Sequence, residues 1–452
     1  MSLYAEHIKT LSGRFDQALA DTGYESVLLY AGQPRVAFLD DNPAPFKVNP
    51  LFKYWVPLLQ SPKSAVFYRK GSGKPTVYLF QARDFWHSQA KIPAQDWQQH
   101  VELKVIDDLS KLTDDLGDAL AATAFIGEDF AHPVNDWNVK ARNPQALIDH
   151  LHFHRAVKTN WEIENLRQAN LLAAKGHIAA KQAFLAGKSE LAIHSDYLAA
   201  MNFRESEEPY NSIVALNEHS AILHYDVYDT VAPQQSLSFL IDAGALYQGY
   251  CADITRSYAA APGFYADLVA AVDAAQQALL TEIKPGVSYY DLHVSMHLKI
   301  AKVLKQFELI TIDPQSAYDK GITAAFMPHG LGHFIGLQVH DVGGFLKDDQ
   351  GSTYDRSDRH PFLRLLRQVE VGQVFTIEPG LYVIDQLLEE FAGSTDINWS
   401  RVDELRPYGG VRIEDSIVVG ENGNNENLTR NAFSKTPRKP SPNRAGIQAG
   451  TA

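Results

Sequence analysis

Cysteine is almost absent: Cys251 stands alone in 452 residues, which excludes an intrachain disulfide and fits a reducing compartment. Long hydrophobic runs are missing too. No stretch approaches the ~18–20 uninterrupted apolar residues of a membrane helix. The opening Tyr4-Ala5-Glu6-His7-Ile8-Lys9 is charged and amphipathic, without the apolar core or small-residue cleavage site of an export signal. A cytosolic protein with no membrane partner is the expectation. There is no basic stripe either. The net charge of −13 is spread along the chain, so nothing is laid out to neutralise phosphates, and nucleic acid is excluded as a partner. Internal repeats at solenoid periods are also lacking.

What is present is ample core material, 45% hydrophobic against 21% charged, in a chain of 452 residues. Single cores stop growing near ~250–300 residues, so two domains are expected. The first third alternates helix and strand signals. An amphipathic helix over about 3–20 is followed by β-rich runs at Ser26 to Tyr30, Ala65 to Tyr68, Thr76 to Phe80, Val101 to Ile106 and Ala124 to Gly127. That pattern predicts an α/β domain over 1–155. Thr159-Asn160-Trp161-Glu162 has the form of a capping box and opens a helix running to Gly187 and a second domain over 156–433. Within it, Leu268, Val272, Ala275, Leu279 and Ile283 recur at helical spacing up to the stop signal Lys284-Pro285-Gly286, as core. Ser288 to Asp291 is a looser capping box before a helix through Leu304. The basic, Pro-rich tail, 434–452, reads as disordered.

Five segments of the second domain set an acid or histidine into otherwise apolar strand patterning. In Ser238 to Gly244 and Gly249 to Arg256, the glycines Gly244 and Gly249 bracket a turn, so a β-hairpin is expected to carry Asp242 and Asp253. On neighbouring strands their Cβ atoms would lie about 4.5–5.5 Å apart. Met327 to Gly336 brings His329 and His333 in a glycine-rich setting. In Val374 to Gly380 and Gly410 to Ile417, period-two alternation puts Thr376 with Glu378, and Arg412 with Glu414, on a polar face. Asp242, Asp253, Glu378 and Glu414 bring four negative charges, which two divalent cations balance. A single ion would leave uncompensated charge in a partly buried site, costing several kcal/mol per ion. Oxygen-rich ligation with one imidazole suits manganese, and also cobalt or zinc, better than copper.

This ordered signature resembles the metal-dependent pita-bread peptidases that include methionine aminopeptidase, aminopeptidase P and prolidase. Within that family it is most similar to bacterial Xaa-Pro dipeptidases, in particular the marine-type enzymes also named organophosphorus acid anhydrolases. Further likeness lies in Phe38 to Asp41, Pro45 to Pro50, Arg155 to Thr159 and Tyr210 to Ala215. The resemblance covers all but the tail. It implies a creatinase/prolidase-type N-terminal α/β domain followed by an α+β pita-bread domain, and two Mn2+ per subunit with Co2+ or Zn2+ as substitutes. It implies that Asp242 binds one metal, that Asp253 and Glu414 bridge both, and that His333 and Glu378 complete the shells around a shared, acidified water. Glu378 would also shuttle a proton to the leaving proline nitrogen.

The same resemblance assigns His340 and His224 to the substrate site as catalytic donors, against the alternative of hydrogen-bonded core histidines. Tyr210 would also be a substrate-site residue. His329 either lines the pocket or supports the glycine-rich loop. Arg364 would hold the carboxylate of a dipeptide ending in proline, and Arg412, two residues before Glu414, would line the site; the alternative for both is an ordinary salt bridge. Asp41 would reach the pocket of a neighbouring subunit, implying a homodimer or a dimer of dimers. Phe334 departs from the pattern, standing where close relatives often have a second histidine, so that neighbour is no ligand here. Cys251 shares parity with Asp253 and is expected as a small buried hydrophobe. Implied activities are hydrolysis of Xaa-Pro dipeptides and, as a side activity, of organophosphorus compounds. The competing readings are an aminopeptidase P acting on longer peptides and a non-catalytic peptide-binding module.

Overall fold

The computed structural model describes residues 2–86, 92, 96–128 and 132–436. The helix Leu3–Thr22 begins where the Ser2 side chain accepts from the Ala5 N–H. It ends at Gly23, whose φ of 73° lies in the left-handed region that favours glycine. Six strands follow: β1 (Ser26–Tyr30), β2 (Ala65–Arg69), β3 (Thr76–Phe80), β4 (Glu102–Ile106), β5 (Thr123–Ile126) and β6 (Ala141–Arg142). They form one mixed sheet in the order β4-β3-β2-β1-β5-β6. Central β1 is buried throughout, as a strand covered on both faces must be. Val27 and Leu29 enter a core with Phe15 and Trp55, while Leu28 and Tyr30 enter another with Leu112 and Phe125.

After the helix Gln145–Arg155, the capping box forms at Thr159. The Glu162 carboxylate accepts from the Thr159 N–H at 2.8 Å, the Thr159 hydroxyl accepts from the Glu162 N–H, and the helix runs over Asn160–Leu185. The junction between the domains is also tied by charge. Buried Asp341 accepts from the Arg155 guanidinium and, at 2.8 Å, from Lys158 Nζ. The first core continues across the junction to Tyr250, Ile335 and Val374.

The second domain holds short antiparallel sheets faced by helices, the expected α+β arrangement. β7 (Ile213–Leu216), β8 (Ser238–Asp242) and β11 (Thr255–Ala259) pair in the order β11-β8-β7, and β9 (Leu246–Tyr247) with β10 (Tyr250–Cys251) caps the turn. β12 (Val374–Ile377) pairs β15 (Asp415–Val418), which pairs β16 (Glu426–Asn427), and β13 (Gly380–Tyr382) pairs β14 (Gly410–Arg412). The helices Phe264–Leu280 and Tyr289–Gln306 bury Leu268, Val272, Leu279, Met296 and Ile300 between them and these sheets. Among the described residues no helix is long and apolar enough to cross a membrane.

Three expectations are corrected. The helix carrying Leu268 stops at Leu280, so Ile283 is buried from the connecting turn rather than from the helix. Ser288 precedes the next helix without any side-chain capping bond, because Asp291 is too short to complete the reciprocal pair that Glu162 completes. The C-terminal helix Leu428–Lys435 continues past Ser434, started by the Asn427 side chain accepting from the Arg430 N–H and held by buried Leu428 and Ala432. The remainder of the tail expected to be disordered, 437–452, lies outside the described residues.

Candidate metal and substrate site

Asp242 closes β8, and its ladder partner on β11 is Thr255, not Asp253. The expected hairpin forms, but the two acids are not directly opposed in it. Asp253 sits two residues earlier, in a stretch outside the ladder where backbone bonds still run from Ala243 N to Ile254 O at 3.0 Å and from Ala252 N to Ala245 O at 2.8 Å. Two residues restore the parity, so both carboxylates face one way. Tyr210 joins them, its hydroxyl lying 2.8 Å from Asp242 Oδ1 and 2.5 Å from Asp253 Oδ1.

Glu378 and Glu414 occupy a break between two ladders. The β12–β15 pairing ends at Ile377 with Asp415 and the β13–β14 pairing starts at Gly380 with Arg412. Pro379 has no N–H to continue a ladder. The freed backbone bonds elsewhere, Glu378 N to Leu331 O at 2.8 Å and Glu414 N to Thr255 O at 3.0 Å, which brings the glycine-rich segment and β11 against the break. His333 comes in on that segment beside Gly332, where a Cβ would meet Thr376 O at 2.1 Å. Only glycine allows the approach.

All five side chains line one cavity of about 1160 Å³. His333 Nδ1 lies 2.9 Å from Phe334 O and donates to it. Its Nε2 therefore points at Asp253 Oδ2, 3.4 Å away, and at Glu378 Oε1, 3.7 Å away. Asp253, His333 and Glu414 each offer a ligand atom, all within 4.8 Å of one another. Burial, reinforced by Asp253, pushes the Glu378 carboxyl up to about 7 against the opposing pull of His333. Burial and the neighbouring Asp253 and Glu378 raise Glu414 too. Glu414 Oε2 accepts from Thr255 at 2.8 Å, but Oε1 is buried and has no hydrogen-bond partner among the described residues. A crowded set of hard oxygen donors, one imidazole lone pair and an orphaned buried carboxylate oxygen is what a pair of divalent cations fits.

The remaining predicted residues fall into three groups. His340, His224, His329 and Arg364 line the same cavity. The His340 ring stacks edge-on with His333 at 4.4 Å, and burial, with His333 and Arg364 nearby, holds it down to about 4, so it is neutral at pH 7. His224 sits in an exposed turn, which rules out the core-histidine alternative. Arg364 is exposed and has no carboxylate within ion-pair distance among the described residues, leaving its fork available.

Tyr210, Arg412 and His329 turn out to hold the site as well as line it. Arg412 donates to Asp242 Oδ2 at 2.8 Å, to the Tyr382 hydroxyl at 2.9 Å and to Thr255 Oγ1 at 3.2 Å. It lines the cavity, as expected, and also positions Asp242. His329 bonds Gly330 O at 2.8 Å and the Tyr382 hydroxyl at 2.9 Å, so both of its alternatives apply. Asp41 stands apart, exposed and outside the cavity of its own chain, beside exposed Phe38 and Leu39. Cys251 is buried at the cavity wall, and Phe334 packs into the main core. The residues that sequence reading missed are Tyr382, Thr255 and Asp341. Tyr382 shares parity with Glu378, and Thr255 with Asp253, a signal that was available.

Comparison with known proteins agrees with this architecture. Residues 2–153 match the family model described as the Xaa-Pro dipeptidase N-terminal domain, and residues 164–421 match metallopeptidase family M24. The chain is 75% identical over 433 residues to Xaa-Pro dipeptidase 2 of Idiomarina loihiensis, covering 96% of this chain and 99% of that protein. It is 45% identical to the Xaa-Pro dipeptidase of Shewanella woodyi, covering 94% and 97%. Among solved structures, Escherichia coli aminopeptidase P with the inhibitor Pro-Leu aligns with a TM-score of 0.71 at 23% identity over 94% of this chain and 95% of that one, a likeness of fold. The agreement runs through both domains, and the chain belongs to metallopeptidase family M24.

Proposed function

We propose that the chain hydrolyses Xaa-Pro dipeptides. The observation that carries this reading is the meeting of four carboxylates and His333 in a cavity also lined by Arg364, which has no ion-pair partner among the described residues. The names of the relatives at 75% and 45% identity support the dipeptide assignment. Family membership implies a dinuclear metal centre. Asp242, Asp253, His333, Glu378 and Glu414 would hold the ions, with manganese preferred and cobalt or zinc able to substitute. When bound, the ions supply charge that offsets the carboxylates and a water of lowered pKa.

The chain's own residues then divide the remaining work. Arg364 takes the free carboxylate of the proline in a bidentate pair. Neutral His340 donates an N–H bond to the scissile carbonyl oxygen as it gains charge, and His224 is assigned a second donor role there. Glu378, with a pKa raised toward neutrality, takes a proton from the attacking water and returns it to the proline nitrogen as the C–N bond breaks. Arg412 and Tyr210 keep Asp242 and Asp253 aimed. Comparing Ala-Pro with Ala-Pro-Ala tests the assignment. Cleavage confined to the dipeptide is expected, and faster cleavage of the tripeptide would favour the aminopeptidase P reading.

Three finer points belong to the same proposal. A site built for a tetrahedral acyl intermediate is assigned activity on organophosphorus esters and fluoridates, and no fluoride release from diisopropyl fluorophosphate by dipeptide-cleaving protein would refute it. Asp41 is assigned to the pocket of a second copy, since it lies outside its own cavity beside Phe38 and Leu39, 92% and 90% exposed. A monomer in sedimentation would refute that. A cytoplasmic location accords with the single, buried thiol of Cys251.

A further inference from the structure

Away from the carboxylate site, three buried histidines meet with no carboxylate among their hydrogen-bond partners in the described residues. His293 and His297 lie one turn apart on the helix Tyr289–Gln306, and the His360 ring packs against both, with centroids at 4.4 and 4.8 Å. The i,i+4 spacing puts the first two on one face. All three offer a ring nitrogen within 4.8 Å of the others. They border a second cavity of about 170 Å³, which shares Pro328, His329 and Phe362 with the large one.

The spacing and the hydrogen bonds favour a cation over plain packing. Two nitrogens each ~2.0–2.1 Å from a tetrahedral ion stand roughly 3.3–3.4 Å apart. His293 Nε2 and His297 Nε2 are 3.2 Å apart. Neither ring has a better use for those atoms. His293 is buried, and its Nδ1 has no partner among the described residues. The outer nitrogens of the other two rings are held from behind: His297 Nδ1 lies 3.1 Å from Thr323 Oγ1, and His360 Nε2 lies 3.2 Å from the Tyr318 hydroxyl. Partners of that kind fix tautomer and ring orientation in metal-binding histidines and leave the inner nitrogen as a lone pair. Arg359, stacked over Tyr318 at 3.8 Å, opposes a cation; Glu390 lines the same cavity.

We propose that His293, His297 and His360 form a third divalent-cation site, of the tri-imidazole type that suits zinc, with its fourth position open to the small cavity. Because His360 stands four residues before Arg364, the ion ties the loop that carries Arg364 to the helix Tyr289–Gln306. The site is independent of the carboxylate centre and shares no ligand with it.

Anomalous scattering at the zinc edge, from crystals of metal-stripped full-length protein equilibrated with excess zinc, tests the proposal by position. Zinc content per chain is measured in parallel for the wild type, His297→Phe and His360→Tyr. The second variant keeps an aromatic ring against Tyr318, and turnover of a manganese-loaded sample checks its folding. A peak between the three rings, and one zinc fewer per chain in each variant, is expected. No peak there at saturating zinc, or equal zinc content in the wild type and both variants, overturns it. Since peaks are counted by place, a carboxylate site that failed to load would be told apart from a failure at the histidines.

Discussion

Replacing Asp341 by asparagine should be strongly destabilising. Asp341 is buried between the Arg155 guanidinium and Lys158 Nζ, both also buried, so the variant leaves two cations in the interior with no counter-charge. Breaking a buried ion pair from one side costs about 3–5 kcal/mol. At on the order of 2 °C per kcal/mol for a domain this size, the thermal midpoint at pH 7 falls by roughly 6–10 °C. The pH dependence gives the sign. Burial alone would raise the Asp341 carboxyl, but Arg155 and Lys158 outweigh it and hold it well below the usual range. A depressed pKa contributes stability above the unfolded value of about 3.9 and loses it as pH falls below that toward the native value. The gap between wild type and variant therefore stays constant from pH 7 to about 5 and narrows below about 4. Turnover falls as well, because Asp341 follows His340 and its carboxylate bonds to Arg155 and Lys158 anchor the segment that carries His340. Calorimetry at pH 7 and pH 4 checks this. A midpoint within about 2 °C of wild type at pH 7, or a gap that widens in acid, would refute the reasoning.

Arg364→Ala removes a charge-assisted pair worth about 1.5–3 kcal/mol, so KM for Leu-Pro rises roughly 10- to 150-fold with kcat little changed. Leu-Pro amide, lacking the carboxylate, should show no such rise. In chelated protein Glu378 sits near 7 instead of 4.5, so the folded state binds more protons between those values and stability falls as pH climbs through that window. Thermal scans at pH 5 and pH 8 should show that fall and its abolition by manganese, and a rise with pH in the chelated sample would contradict it. Burial pushes the Cys251 thiol up to about 12, so a thiol-exchange reagent at pH 8 should find no reactive thiol in the folded protein and one after denaturation.

Much of this was legible along the chain because its signals are local. Thr159 and Glu162 declare a helix start by themselves, and β1, a continuous apolar run ending before Gly32, reads as a strand. The five metal-binding candidates were legible because each is a charged or polar residue set against apolar strand neighbours. Alternation carried less far where the ladder breaks: it suggested continuous strands through Glu378 and Glu414, whereas Pro379 interrupts the pairing and both carboxylates sit in the gap. Partners that depend on tertiary approach stayed hidden. That Arg412 holds Asp242, 170 positions away, as well as lining the cavity is written in no local pattern. The Asp341 cluster and the meeting of His360 with His293 and His297 likewise depend on loops whose course no local pattern encodes.

The central claim is that Asp242, Asp253, His333, Glu378 and Glu414 close together on two cations. Diffraction at the manganese edge from crystals grown with Mn2+ tests it directly. Two anomalous peaks within the cavity, both touching Asp253 and Glu414, are predicted. A single peak, or none there at saturating manganese, would contradict the account.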